Sequence, residues 1–131
     1  MLLVTVTTPL YPTEDRGKVL SALRAIFPEG SVEADASTIR ITSDSLDNYS
    51  ELVRKQRILD TARAALRRFM AGGKTSFRLN KQAATAGSIS FEEGRQPLGA
   101  ITVSVEADDE AALDAFIDKV TPRTEHGEPI A

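Results

Sequence analysis

The chain has 131 residues, no cysteine, one histidine and a formal net charge of −3, so disulfides, cysteine nucleophiles and thiolate or paired-histidine metal sites are excluded within it. Apolar residues (41%) and charged residues (27%) stand near globular averages, unlike those of a disordered chain. No apolar run approaches the ~20 residues that a membrane-spanning helix needs, and a length of this order fits one domain over residues 1–131.

Residues 2–8 alternate Leu2, Val4 and Val6 against Leu3, Thr5 and Thr7, the period of a strand. The opening MLLVTVTTPLY has no basic leader and is not read as a signal peptide, so a cytoplasmic location is expected. Pro9 and Pro12 break the strand, and Thr13 is expected to cap a helix with Glu14 and Asp15 in its first turn. That helix packs through Val19, Leu20, Leu23, Ile26 and Phe27 and stops at Pro28 and Gly30. Short strands over 31–34 and 38–42 flank a turn at Asp35-Ala36-Ser37.

A single long helix is predicted from Ser45 to the glycine pair Gly72-Gly73. At about 100° per residue, Leu52, Leu59, Ala62, Leu66 and Phe69 share one face, and Arg57, Arg63, Arg67 and Arg68 lie mostly on the other. Strands follow over 75–79, 87–91 and 100–106, with a polar stretch at 80–86 and the turn-rich EEGRQPLG between the last two. Asp108 is expected to cap a final helix packed through Leu113, Phe116, Ile117 and Val120. The order is roughly βαββαβββα: an α+β two-layer sandwich, a mainly antiparallel sheet with helices packed on one face. The C-terminal segment 121–131 is expected to be irregular, either loose or folded back and held by Arg123, with His126 exposed on it.

Charge is the most uneven property of the chain. Nine of its sixteen Lys and Arg residues, and one acidic residue, Asp60, fall between Arg54 and Lys81, a local charge of +8. The other 103 residues hold seven basic and eighteen acidic groups, or −11. Such a field attracts polyanions through counterion release, although a solubilising helix face would carry the same pattern. On the first reading Arg54, Arg57, Arg63, Arg67 and Arg68 form a helical phosphate-contact stripe that Lys74, Arg78 and Lys81 extend. Gln56, Asn80 and Gln82 add neutral donors and acceptors for phosphate and 2′-hydroxyl groups. The stretch Asn80-Lys81-Gln82 reads equally as a polar turn capping its own backbone. About six phosphate contacts would cost roughly a thousandfold in affinity between low and moderate salt.

Ala71-Gly72-Gly73-Lys74-Thr75 imitates the end of a phosphate loop, but Arg68 stands where that motif needs glycine, and the order here is helix–loop–strand. Carboxylates such as Asp114 and Asp118 read as the solvated face of the last helix, and no catalytic triad is apparent. No enzyme, metal or cofactor is therefore expected; a deep pocket lined by Asn80, Gln82 and a carboxylate would revive catalysis. Phe77 and Phe91 read as core residues, so contacts to RNA are expected at the backbone more than at bases.

The stretches PTEDRGKVLSALRAIFPEG, LVRKQRILDTARAALRR, FRLNKQAATAGSISF, PLGAITVSVE and TPRTEHGEP resemble, in order and over nearly the whole chain, a conserved archaeal family of small uncharacterised proteins. The resemblance implies a predicted RNA-binding protein, in some members a predicted exosome-associated one. It also implies a fold similar to that of the ribosomal protein that binds 5S RNA. The resulting expectation is a non-catalytic RNA-binding module, a homodimer, accessory to RNA processing. The alternative is a structural or protein-interaction module whose +8 segment docks on an acidic partner or on a second copy.

Overall fold

The structure is a computed structural model that describes residues 2–92, 94, 99–125 and 128–129. Strands β1 (Leu2–Pro9), β2 (Ser31–Ala34), β3 (Thr38–Ser43), β4 (Lys74–Leu79) and β5 (Ile101–Ala107) form one sheet in the order β2-β3-β1-β5-β4. Every neighbouring pair in it is antiparallel. Helices α1 (Arg16–Ile26), α2 (Asp47–Lys55), α3 (Leu59–Arg68), α4 (Lys81–Thr85) and α5 (Glu110–Val120) complete the α+β two-layer arrangement.

Alternation along the strands sorts the two faces. Val4, Val6, Ile39, Ile41, Phe77, Val103 and Val105 point inward and are almost fully buried against Leu23, Ile26, Tyr49, Leu66 and Ile117 of the helices. The Tyr49 ring lies between Phe27 and Phe77, at centroid distances of 6.3 and 5.4 Å. Its hydroxyl is buried with no hydrogen-bond partner among the described residues, and burial pushes its pKa well above that of an ordinary phenol.

The single long helix expected from Ser45 onward is two helices. Arg57 takes φ +58°, its N–H donates to the Arg54 carbonyl (3.1 Å), and the Ile58 N–H donates to the Val53 carbonyl (3.0 Å). These are the paired bonds of a Schellman C-cap, built here on an arginine in the position that glycine usually fills. Gln56 fixes the break from outside: its side-chain amide donates to the Ile89 carbonyl (3.0 Å) and accepts from the Ile89 N–H (2.7 Å). Helix α3 stops at Arg68, and Gly72 and Gly73, with φ +59° and +80°, turn the chain into β4 instead of capping the helix.

Other boundaries shift by a residue or two. Asp15, not Thr13, caps α1, and Asp109, not Asp108, caps α5. The polar stretch after β4 folds as α4, with Asn80 Oδ1 accepting from the Ala83 N–H (2.8 Å). The strand expected over 87–91 is reduced to one bridge, Leu79 to Phe91, flanked by bonds from Asn80 N–H to Ser90 O and from Glu92 N–H to Arg78 O. Beyond α5, β6 (Thr124–Glu125) pairs with β7 (Glu128–Pro129), and Thr124 Oγ1 bonds Asp60 at the start of α3. The exposure expected of His126 lies outside the described residues, as does most of the turn EEGRQPLG.

Candidate nucleic-acid interface

The +8 block does not form one free stripe. The break at Arg57 puts that residue, exposed, outside any helix. Arg63 and Arg67 are four residues apart on α3, a spacing that aligns side chains on one helix face, and both turn toward α5. Arg63, with a side chain only 15% exposed, lies 2.8 Å from Asp118 and donates to the Thr121 carbonyl (3.0 Å). Arg67 lies 2.6 Å from Asp114. The Arg63 hydrogen bond, with its charge and those of Arg123 and Arg67, holds the Asp118 carboxyl below its ordinary value of 3.8. Arg54 reaches Ser50 Oγ and the Lys119 carbonyl at 3.3 and 3.4 Å. Much of the basic block thus meets the chain's own acids and carbonyls, and α5 is pinned to α2 and α3 by it.

Lys81, expected at the end of the stripe, is buried. Its ammonium donates to the Pro9 carbonyl (2.6 Å) and to Glu14 (2.8 Å), with the Lys81 and Glu14 side chains 8% and 9% exposed. The Tyr11 ring lies 5.7 Å away. This pair ties the start of α4 to the turn before α1. Asn80 spends its carbonyl oxygen on the α4 cap and its amide on Glu92 (3.0 Å), so the self-capping reading of this stretch describes it. Gln82 is exposed. Asn80, Gln82, Glu14 and Asp15 do line one cavity, of about 450 Å³, but its rim residues Thr13, Asp15 and Lys18 are exposed and it opens as a surface trough.

The remaining candidates gather elsewhere. Arg68, Lys74 and Arg78 surround the end of α3 and strand β4, where Phe69 is 67% exposed. Phe69 and Ser76 line two adjoining cavities. One, of about 380 Å³, runs over the outer sheet face past Thr5, Ser104 and Lys74. The other, of about 280 Å³, holds Arg68, Arg78 and Phe91.

That outer face, which carries no packed helix among the described residues, was not read from the sequence as a surface. Strand register lines up Ser31, Thr42, Thr5, Ser104 and Ser76 in one row across all five strands. The next row is Glu33, Arg40, Thr7, Thr102 and Arg78. The sequence signal was present: these are the polar members of the alternating strands, and registering them side by side needs the sheet order. Hydroxyls between cations can donate to phosphate and ribose oxygens.

A small α+β module with an open, hydroxyl-bearing sheet face and a cation-lined groove at one end is the class that fold and surface define. Residues 3–107 match a family model described as RNA binding. The chain belongs to this family, alongside archaeal relatives that carry the name UPF0201. A UPF0201 protein of Metallosphaera sedula is 36% identical over 138 residues, covering 99% of the chain and 94% of the relative. A UPF0200/UPF0201 protein of Archaeoglobus fulgidus is 36% identical over 128 residues, and there the chain spans 97% of itself but 39% of the relative's length. Among solved structures, a UPF0201 protein from Methanococcus jannaschii superposes with a TM-score of 0.88 at 34% identity, covering 98% of this chain and 99% of that one.

Proposed function

We propose that the protein is a non-catalytic RNA-binding module that grips the sugar–phosphate backbone of structured RNA. The observation that carries this reading is the RNA-binding family match over residues 3–107. The surface supports it at a place other than the predicted helix stripe: Arg68, Lys74 and Arg78 surround the groove beside Phe69, and the hydroxyl row leads away from it. On this reading the module works in the cytoplasm as an accessory to RNA processing. Arg54, Arg63 and Lys81 act in folding, and Gln56 and Asn80 are likewise used internally.

Three cations at the groove, rather than the six or more of an unbroken stripe, set the expected salt response. Titration of a structured RNA should show affinity falling by about fortyfold between ~50 and ~200 mM salt. Arg68→Glu with Arg78→Glu should abolish most of that binding and leave the fold intact, since both side chains are exposed. Binding that ignores salt, or that survives the double variant unchanged, refutes the reading.

A second reading, a homodimeric interaction module, is favoured by the exposed Phe69 ring, because large apolar side chains left in solvent mark contact surfaces. Sedimentation separates the two: a dimer that Phe69→Ala dissociates, with no RNA bound by either form, favours it.

A further inference from the structure

The smaller cavity beside Phe69 is built unlike a simple phosphate clamp. Its walls bring together Phe69, which follows α3, Phe77 of β4 and Phe91, which follows α4, and Arg68, Arg78 and Glu92 line it as well. Phe91 is fixed edge-on against Phe77, at a centroid distance of 5.9 Å and an interplanar angle of 62°. Through Phe77 it continues the buried ring series that runs by Tyr49 to Phe27. A wall anchored to the core in this way is preorganised. Phe69 is the opposite case, 67% exposed, with the Arg68 guanidinium 5.5 Å from its ring centroid.

The volume, about 280 Å³, lies just below the ~300 Å³ at which small-ligand pockets begin, too small for a folded partner and suited to one flat ring. Aromatic faces accept any base by stacking. A guanidinium at the rim suits the adjoining phosphate. Glu92, held by the Asn80 amide at 3.0 Å and the Gly94 N–H at 3.4 Å, sets a negative edge on the cavity that attracts the exocyclic amino group of a base.

We propose that this cavity receives a single unpaired nucleobase, stacked on Phe69 and bounded by Phe91, with Arg68 and Arg78 on its flanking phosphates. The inference rests on the RNA-binding reading and adds to it a site for a base where contacts mainly to the backbone were expected. It gives the protein a preference for RNA helices interrupted by a bulge or loop over continuous duplex.

The test uses one hairpin in three forms: fully paired, with a single adenosine bulge, and with an abasic residue in the bulge. The bulged form should bind about tenfold tighter than the other two. Phe69→Ala should erase that difference while keeping the salt dependence, and Phe69→Trp should retain it. With 2-aminopurine as the bulged base, fluorescence should be quenched on binding to the wild-type protein and not to Phe69→Ala. Equal, salt-dependent affinity for all three hairpins overturns the base site and leaves the RNA-binding reading standing. No affinity for any of them overturns both. A Phe69→Ala variant that keeps the bulge preference but changes from dimer to monomer in sedimentation also overturns the site, because the ring then meets a second copy.

Discussion

Replacing Lys81 by methionine tests the main difference between the basic block as charge and the basic block as structure. The substitution leaves Glu14, a carboxylate 9% exposed, without its counter-charge, and it frees the Pro9 carbonyl that the ammonium had met at 2.6 Å. Removing one partner of a buried ion pair costs about 3–5 kcal/mol, roughly a fifth or more of the ~5–15 kcal/mol available to a domain. Urea unfolding followed by circular dichroism should show the midpoint falling by about 2 M for a slope near 2 kcal/mol/M. Adding Glu14→Gln should recover about 1–2 kcal/mol, because a neutral amide is cheaper to bury than an unpaired carboxylate. The amide can still accept the bond that the Tyr11 N–H gives Glu14 at 3.1 Å. Affinity for RNA, measured where the variant remains folded, should keep its salt slope. A loss under ~1 kcal/mol, or a double variant no better than the single, contradicts the burial argument. A slope reduced by about one would show that Lys81 reaches a phosphate after all.

Three further outcomes follow from the packing. Tyr49→Phe removes a buried hydroxyl with no partner among the described residues, so it should raise stability by about 1 kcal/mol and the melting temperature by a few degrees; a fall would mean the hydroxyl is bonded. Arg63→Ala should cost about 1–2 kcal/mol, through the bond to the Thr121 carbonyl at a half-buried seam, against under ~1 kcal/mol for Arg67→Ala, whose ion pair is 42% and 45% exposed; equal losses in thermal melts count against this ranking. Because the folded-state pKa of Asp118 is depressed by the Arg63 hydrogen bond, its contribution is complete above the ordinary value of 3.8 and is lost as pH falls through the lower folded value. Asp118→Asn should therefore flatten the decline of melting temperature on acidification below that pH, and an unaltered acid profile excludes the contribution.

Strand β1 and helix α1 could be read because alternation and breakers agree there: Val4 and Val6, then Pro9, and Leu23 and Ile26, then Pro28. The break between α2 and α3 escaped because its left-handed residue is Arg57, which gives no compositional warning. A finer signal was available in the phase of the apolar residues. Leu46, Tyr49 and Val53 keep one spacing and Leu59, Ala62 and Leu66 repeat it, but the six-residue step from Val53 to Leu59 is one short of two turns. Treating the two runs as one helix placed Leu52 and Phe69 on the buried face, whereas Val53 is buried and Phe69 projects into solvent. The candidate interface was legible as composition, not as placement. Which arginines meet the acids of α5 depends on where that helix lies, and the partners Asp114 and Asp118 are some fifty residues further along the chain.

The sheet order carries a kinetic consequence. Strand β1 occupies the centre, and its second neighbour is β5, with Leu2 opposite Ala107 and Thr7 opposite Thr102. Half of the central ladder therefore closes a loop of nearly the whole chain, while the β1–β3 and β2–β3 pairings close short ones. Such non-local pairing slows folding, since the entropy of closure must be met before the contacts repay it. During synthesis, an intermediate of β1, β2, β3 and α1 would present an unpaired side of β1 and a half-covered apolar layer until residues 101–107 leave the ribosome. The last strand of the five-stranded sheet to arrive, with α5 immediately behind it, is the one that seals the core.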